Sequence, residues 1–486
     1  MRNRLKYFVV FLIPLLAKSQ SISTSSLFAV FGGPNDETGF SIKQTLDSGY
    51  IVTGQTNSFG SINTDIYIAK TDKYLIPKWQ KNIGGFLSDV GKSIIELQDS
   101  SIVIAGFSNS FGNGGYDALI VKTDKNGNLI WQKNWGGLDW DFANSISKTS
   151  DGNLIISGNT YSYGKGSSDG FILKMDLNGS ILWQKIYGGT NYDDYKNIIQ
   201  TGDGGYIAVG TTMSFGDALG DVFISKFNLS GDSVWFKTVG GNKYDKGNDI
   251  VQDENNDYLI TGGTRSYSLT NDNMDAFIFK LSNSSNLVWT RNYGGNGDEE
   301  SYSVKNSKSN YGKLVITYET KEVPGFEKDI KTILLDGSGY YVRGGSFGSN
   351  KNDVGLDIQN TYDKGYVTCG YSEGFNAQMK DIFIVKYDSE MTIGPQMVDI
   401  KINSPQRKIN VYPSVVNNKN LNIETEFPIQ NKQEIIKIFD IRGVQMHNYK
   451  IELLDDNFVK VYFSDIENGI YFLKLNQFVF KFIIQE

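Results

Sequence analysis

Short apolar runs, each only a few residues long and broken by glycine and aspartate, repeat along most of this chain, and no long stretch follows a helical period. The runs fall into register with one another. A glycine-led motif begins at Gly32, Gly84, Gly136, Gly188, Gly240, Gly294 and Gly348, spaced 52 residues apart four times and then 54 twice. Each unit then places a buried-type aliphatic at the same offset: Ile42, Ile94, Ile146, Ile198, Ile250, Val304 and Ile358. A tight turn such as Asp151-Gly152 follows, then a run ending in Gly-x-Thr or Gly-x-Ser, as at Gly158-Asn159-Thr160. An aspartate opens the third run (Asp65, Asp117, Asp169, Asp221, Asp275, Asp329, Asp381), and a second tight turn leads to a fourth that carries Trp79, Trp131, Trp183, Trp235 or Trp289.

Four short antiparallel strands per unit cannot bury both faces of their own sheet, but seven such sheets set radially can. The spacing therefore predicts an all-β chain with a seven-bladed β-propeller at 24–392, the tryptophans filling space between blades. The sixth unit departs from the pattern, with Arg343 in place of its tryptophan and no Gly-x-Thr. The last unit lacks a fourth strand, whereas Leu27–Phe31 precedes the first glycine with no partner. Placing that strand in the last blade completes seven sets of four and leaves no open sheet edge around the ring.

Composition narrows the chemistry. The 53 glycines, 8 prolines and 13% aromatic content suit short strands and glycine-dependent turns. Cys369 and His447 are the only residues of their kinds, which nearly excludes nucleophile–histidine systems, zinc sites and any intrachain disulfide. A formal charge of −7, with a basic first segment and a charge-balanced tail, leaves the propeller markedly acidic and unsuited to nucleic acid or anionic membrane. Residues 1–19 read as a signal peptide: Arg2, Arg4 and Lys6 precede an apolar run, and Ala17-Lys18-Ser19 presents small residues for cleavage. The expected product is secreted or attached to the outer surface, without membrane insertion.

After a linker at 393–408, residues 409–486 show alternating strands that predict a small Ig-like antiparallel β-sandwich. Val411-Tyr412-Pro413, Ile438-Phe439-Asp440-Ile441-Arg442-Gly443, Asn468-Gly469-Ile470-Tyr471-Phe472-Leu473-Lys474 and the terminal Lys481-Phe482-Ile483-Ile484 follow in order. By these residues the segment resembles the C-terminal sorting domain (type A) of cargo exported by the type IX secretion system of Gram-negative bacteria. Tyr412, Pro413, Asp440, Gly443, Gly469, Tyr471 and Lys481 carry the motif, and Val415 stands where the family usually has a second proline. The resemblance implies Sec-dependent export, the type IX machinery as partner, and usually removal of the domain. The repeat region also resembles secreted bacterial propeller-repeat proteins, which implies fold and not activity.

Two rings of carboxylates should line one face: the third-strand aspartates, and Glu37, Asp89, Asp141, Asp193, Asp245, Glu299 and Asp353. Calcium is the one cofactor they suggest, with Asp89, Asp141, Asp193 and Asp245 as candidates. The simpler reading is that short acidic side chains hold their own loops, since a residue present in every unit serves the unit. Positions that differ between units are better candidates. Trp140, Tyr192 and Tyr244, beside Asp139, Asp141, Asp193 and Asp194, suit sugar stacking or a peptide contact. The preferred expectation is a binding protein for a glycan or protein ligand. The alternative is a carbohydrate-active hydrolase or lyase using acidic residues at the axial opening.

Overall fold

The computed structural model describes residues 27–391 except 60–62, 269–272, 321–326, 376 and 378, and most strand residues between 409 and 484. The expected signal peptide (1–19), the linker (393–408), Pro413 and Gly443 lie outside the described residues.

Seven four-stranded antiparallel sheets follow one another. Blade one runs from Glu37–Gln44 through Tyr50–Thr56 and Asp65–Thr71 to Pro77–Ile83, and the others repeat that order. Blade six forms a full sheet despite its weaker signature, with Arg343 stacked 4.2 Å from the Tyr311 ring centre. Blade seven takes its outer strand from the start of the chain: Leu27–Phe31 pairs antiparallel with Asp381–Tyr387, Leu27 opposite Lys386 and Phe31 opposite Ile382. Every innermost strand contacts the innermost strands of both neighbours, and that of blade one contacts that of blade seven. The circuit of neighbours is complete.

Burial follows from this arrangement. In blade three the second and third strands, Leu154–Thr160 and Asp169–Met175, are buried throughout, whereas the outer strand Ile181–Tyr187 is largely accessible. Middle strands are covered on both faces by adjacent blades, so they read as continuous apolar runs rather than alternating ones. The tryptophans bridge blades at the periphery. Trp79, Trp183 and Trp289 lie so close to Gly127, Gly231 and Gly339, the turn glycines of the next blade, that a Cβ there would come within 2.8 Å of the indole. Deep filler between blades comes from aliphatics and phenylalanines such as Phe171, Phe277 and Phe383, all fully buried.

The innermost strands carry a β-bulge in nearly every blade. Register shifts fall between Gly39 and Ser41, Gly91 and Ser93, Ala143 and Ser145, Gly247 and Asp249, Ser301 and Ser303, and Gly355 and Asp357. The bulge explains the glycine of the Gly-x-Thr signature. At Gly54, Gly106, Gly158, Gly262 and Gly370 a Cβ would lie 1.7–1.9 Å from a carbonyl oxygen of the bulged strand, which only glycine avoids.

The tail holds two four-stranded sheets. Their shared core draws Leu421, Val459, Val461 and Phe463 from one and Ile436, Ile438, Tyr471, Leu473 and Ile484 from the other. Tyr449–Asp455 completes the first sheet. One pairing is parallel rather than antiparallel, Val415–Val416 beside Ile483–Ile484. Tyr412, Asp440, Gly469 and Lys481 lie on strands of this sandwich, and the Tyr471 hydroxyl donates to the Glu467 carbonyl at 2.9 Å.

Candidate binding face and axial tunnel

The carboxylate ring holds loops. Glu37, Asp89, Asp141, Asp193, Asp245, Glu299 and Asp353 are all fully buried. Each accepts the backbone N–H four residues earlier, from Gly33 (2.5 Å), Gly85 (2.7 Å), Gly137 (2.9 Å), Gly189 (2.7 Å), Gly241 (2.9 Å), Gly295 (3.0 Å) and Ser349 (2.5 Å). Asp89, Asp141, Asp193 and Asp245 also accept a serine hydroxyl from the second loop: Ser110, Ser162, Ser214 and Ser266, at 2.6–2.7 Å. The four calcium candidates thus spend one carboxylate oxygen on their own loops.

The third-strand aspartates face them across each blade boundary. A Cβ on the leading glycine of any unit would come within 1.9–2.2 Å of the preceding blade's aspartate Oδ1, and in most units within 3.1 Å of the next ring carboxylate. That squeeze fixes the glycine and sets two carboxylates side by side. Burial, reinforced by Glu37, pushes Asp381 up to about 7, and burial with Asp353 lifts Asp329 to about 6.

The aromatic candidates separate into two groups. Trp140 is 54% exposed and Tyr161 37%. They join Phe107, Tyr116 and Phe142 in one cluster on blades two and three, with ring centres 4.9–6.4 Å apart. Asp139 is exposed beside it and donates its backbone N–H to Ser162 Oγ at 3.1 Å. Tyr192 and Tyr244 are half-buried. The Tyr192 hydroxyl donates to Asp194 at 2.7 Å, and burial together with that carboxylate holds its phenol well above the usual range. Asp194 itself is 1% exposed and also takes the Thr211 N–H and the Lys196 ammonium, both at 2.7 Å. Asp141 and Asp193 belong to the loop clasp, not to the rim. Of the residues singled out by sequence, the structure groups Tyr192, Tyr244 and Asp194 on blades four and five, and leaves Trp140 and Asp139 as the accessible ones.

Sequence reading named an axial opening but not the inner-strand residues that face it. The bulge position, taken around the ring, is occupied by Phe40, Lys92, Asn144, Lys196, Asn248, Tyr302 and Leu356, none fully buried. A bulge re-aims a side chain, and in six blades it delivers one residue to the same level of the inner wall, while in blade four Lys196 takes that position just before the strand Asn197–Gln200. The next residue in each strand forms a polar belt between blades. Ser145 donates to Asn197 Oδ1 (2.7 Å), Asn197 to Asp249, Ser303 to Asp249 Oδ2 (2.7 Å), and Ser41 to Asp357 Oδ2 (3.1 Å). Ion pairs occupy the acidic side chains nearer the mouth: Lys196 with Asp194, Lys246 with Glu300 (2.7 Å) and Lys328 with Glu319 (2.5 Å). Gly-x-Thr or Gly-x-Ser glycines stand opposite the bulges of blades one, two, three, five and seven, so for those blades the signal was present in the sequence. A second concavity of about 510 Å³ on the same face is lined by Asp36, Glu327, Lys351, Asn352, Glu373 and Lys380 among others.

Comparison with known proteins bears on the two parts differently. No curated protein sequence matches the chain. Among solved structures, a polysaccharide lyase is similar at 11% identity, covering 76% of this chain and 98% of its own, with a TM-score of 0.47. A fungal alcohol oxidase of the AA5 family in complex with copper shares 12% identity over 94% of this chain and 99% of its own, at 0.45. An α-L-arabinofuranosidase from Fusarium graminearum shares 10% over 74% and 97%, at 0.40. Likenesses this distant carry nothing about activity. The tail is another matter: residues 410–485 match the family described as secretion system C-terminal sorting domain. That match indicates a secreted or cell-surface protein handled by the type IX machinery, and residues 410–485 belong to the sorting-domain family.

Proposed function

We propose that this is a secreted or surface-displayed binding protein that engages a glycan through the loop face of its propeller. The observation carrying the reading is the aromatic cluster at Trp140 and Tyr161, because exposing an indole that four other rings of the cluster could have buried suits a stacking platform and nothing in blade construction. In four of the other six units the corresponding position holds Asp36, Ser88, Asp298 or Asn352, so the blade does not require an aromatic there. A hydrolase or lyase needs a carboxylate free to exchange a proton at the axial opening. Asp194, Glu300 and Glu319 are each already engaged by a lysine, which favours binding over turnover.

A glycan array probed with the propeller and its Trp140→Ala variant tests this. Retention of a saccharide by the wild type and its loss in the variant, at unchanged thermal stability, is the expected outcome. Equal retention by both would refute the reading, as would turnover dependent on Asp194 or Glu300.

A further inference from the structure

We infer that Lys92 is the anchor for the carboxylate of an acidic saccharide that enters the tunnel from the loop face, an inference that rests on saccharide binding at the rim. Seven blades supply seven different tests of what the bulge position needs, and it accepts aromatic, aliphatic, amide and cationic side chains alike. A lysine is therefore not a requirement of the fold. The two lysines at this level also differ in one respect. Lys196 has its counter-charge in Asp194, two residues earlier in the chain, at 2.7 Å. In blade two that earlier position is Val90, and among the described residues Lys92 has no carboxylate partner. Its ammonium rests 3.6 Å from the centre of the Phe40 ring on the adjacent blade.

A face-on phenylalanine offsets only part of what an ammonium loses on leaving water. Burial, and then the charge of Lys196, bring Lys92 down to about 8, so the site holds a cation short of a counter-ion. A ligand anion would supply it. The position argues for a saccharide as the bearer of that anion. Lys92 lies on blade two with Phe107 and Tyr116, and Val90 pairs directly with Phe107. Blade three contributes Phe142, Trp140 and Tyr161 to the same sector. Stacking surface at the rim and an unmatched cation below it thus occupy one wall, the arrangement a pyranose chain with a carboxyl group would satisfy. Because the chain as a whole carries a net charge of −7, this preference would act at contact range and not through a general attraction for anions.

The test uses the full mature chain. Lysines are acylated sparingly at pH 8 in the presence of sodium glucuronate or of glucose, and modification at each site is read by peptide mass spectrometry. Glucuronate should shield Lys92 severalfold relative to glucose and leave the exposed Lys125 unaffected. In parallel, Lys92→Met should weaken binding of oligogalacturonate by about tenfold or more, the loss of one charge-assisted contact, without changing affinity for the carboxyl-reduced oligosaccharide or lowering the melting temperature. Equal labelling in the two sugars, or unchanged oligogalacturonate affinity in the variant, overturns the inference. Loss of binding in Trp140→Ala with none in Lys92→Met leaves the rim reading standing and removes the tunnel site. Shielding of Lys92 with an indifferent Trp140→Ala does the reverse.

Discussion

Phe28 is the most exacting place to test whether the ring depends on its borrowed strand. The side chain is 9% exposed, and its ring centre lies 5.3, 5.0 and 6.0 Å from those of Phe347, Phe375 and Phe383. Those three rings stack on one another, so removing Phe28 leaves a rigid wall that cannot collapse into the gap. For a buried Phe→Ala change, lost transfer free energy plus an unfilled cavity costs about 3–5 kcal/mol, and the unrelaxed surroundings place Phe28→Ala toward the upper part. Urea unfolding followed by tryptophan fluorescence is the assay. All seven tryptophans lie between Trp79 and Trp289, in or before blades one to five, so the reporter is blind to blade seven itself. A shift in that signal registers coupling around the ring, and Phe171→Ala, a fully buried ring in blade three, provides the scale. A loss below about 1 kcal/mol for Phe28→Ala, beside the usual 3–5 for Phe171→Ala, would show that the first strand is dispensable and refute the reasoning.

Other expectations follow from the same contacts. Gly106→Ala forces a Cβ to 1.8 Å from the Val90 carbonyl oxygen and should cost about 1–3 kcal/mol or more by overpacking, measured as a drop in the urea midpoint. Asp381 keeps its proton to about 7 in the folded chain but ionises near 3.8 when unfolded. Its contribution is therefore whole below the lower value and is lost as pH rises through the higher one. Asp381→Asn should flatten the decline in melting temperature between pH 4 and 7, and an unchanged slope would rule out Asp381 as its source. Trp140→Ala, by contrast, should move stability by less than about 0.5 kcal/mol, as befits an exposed position, and calorimetry decides it.

Much of this structure was legible because repetition amplifies weak signals. One Gly-Gly pair says little, but seven at fixed spacing set the sheet count, and the unpaired Leu27–Phe31 against the missing fourth strand after Asp381 set how the ring is finished. The loop role of Asp89 and its equivalents was readable for the same reason. What differed between units was harder to place. Lys92, Asn144 and Tyr302 look like ordinary strand residues until the bulge turns them to the axis, and Phe107 and Tyr116 gather around Trp140 only through blade packing. Tyr195 shows the limit well. It stands where other blades have glycine, alanine or serine, stacked on Phe223 with ring centres 5.4 Å apart. It fits because its neighbour across the blade boundary, Gly170, has no side chain to meet it. Nothing along the chain announces that pairing.

Building one blade from both ends has a consequence for how the molecule is made. Leu27–Phe31 emerges from synthesis before every other strand of the propeller, yet Asp381–Tyr387 is the last to be added. Throughout that interval an apolar pentapeptide waits without a mate, and no earlier strand can finish the seventh sheet. Assembly must therefore end with an encounter between the most distant parts of the repeat region, a slow step that leaves sticky chain uncovered until it succeeds.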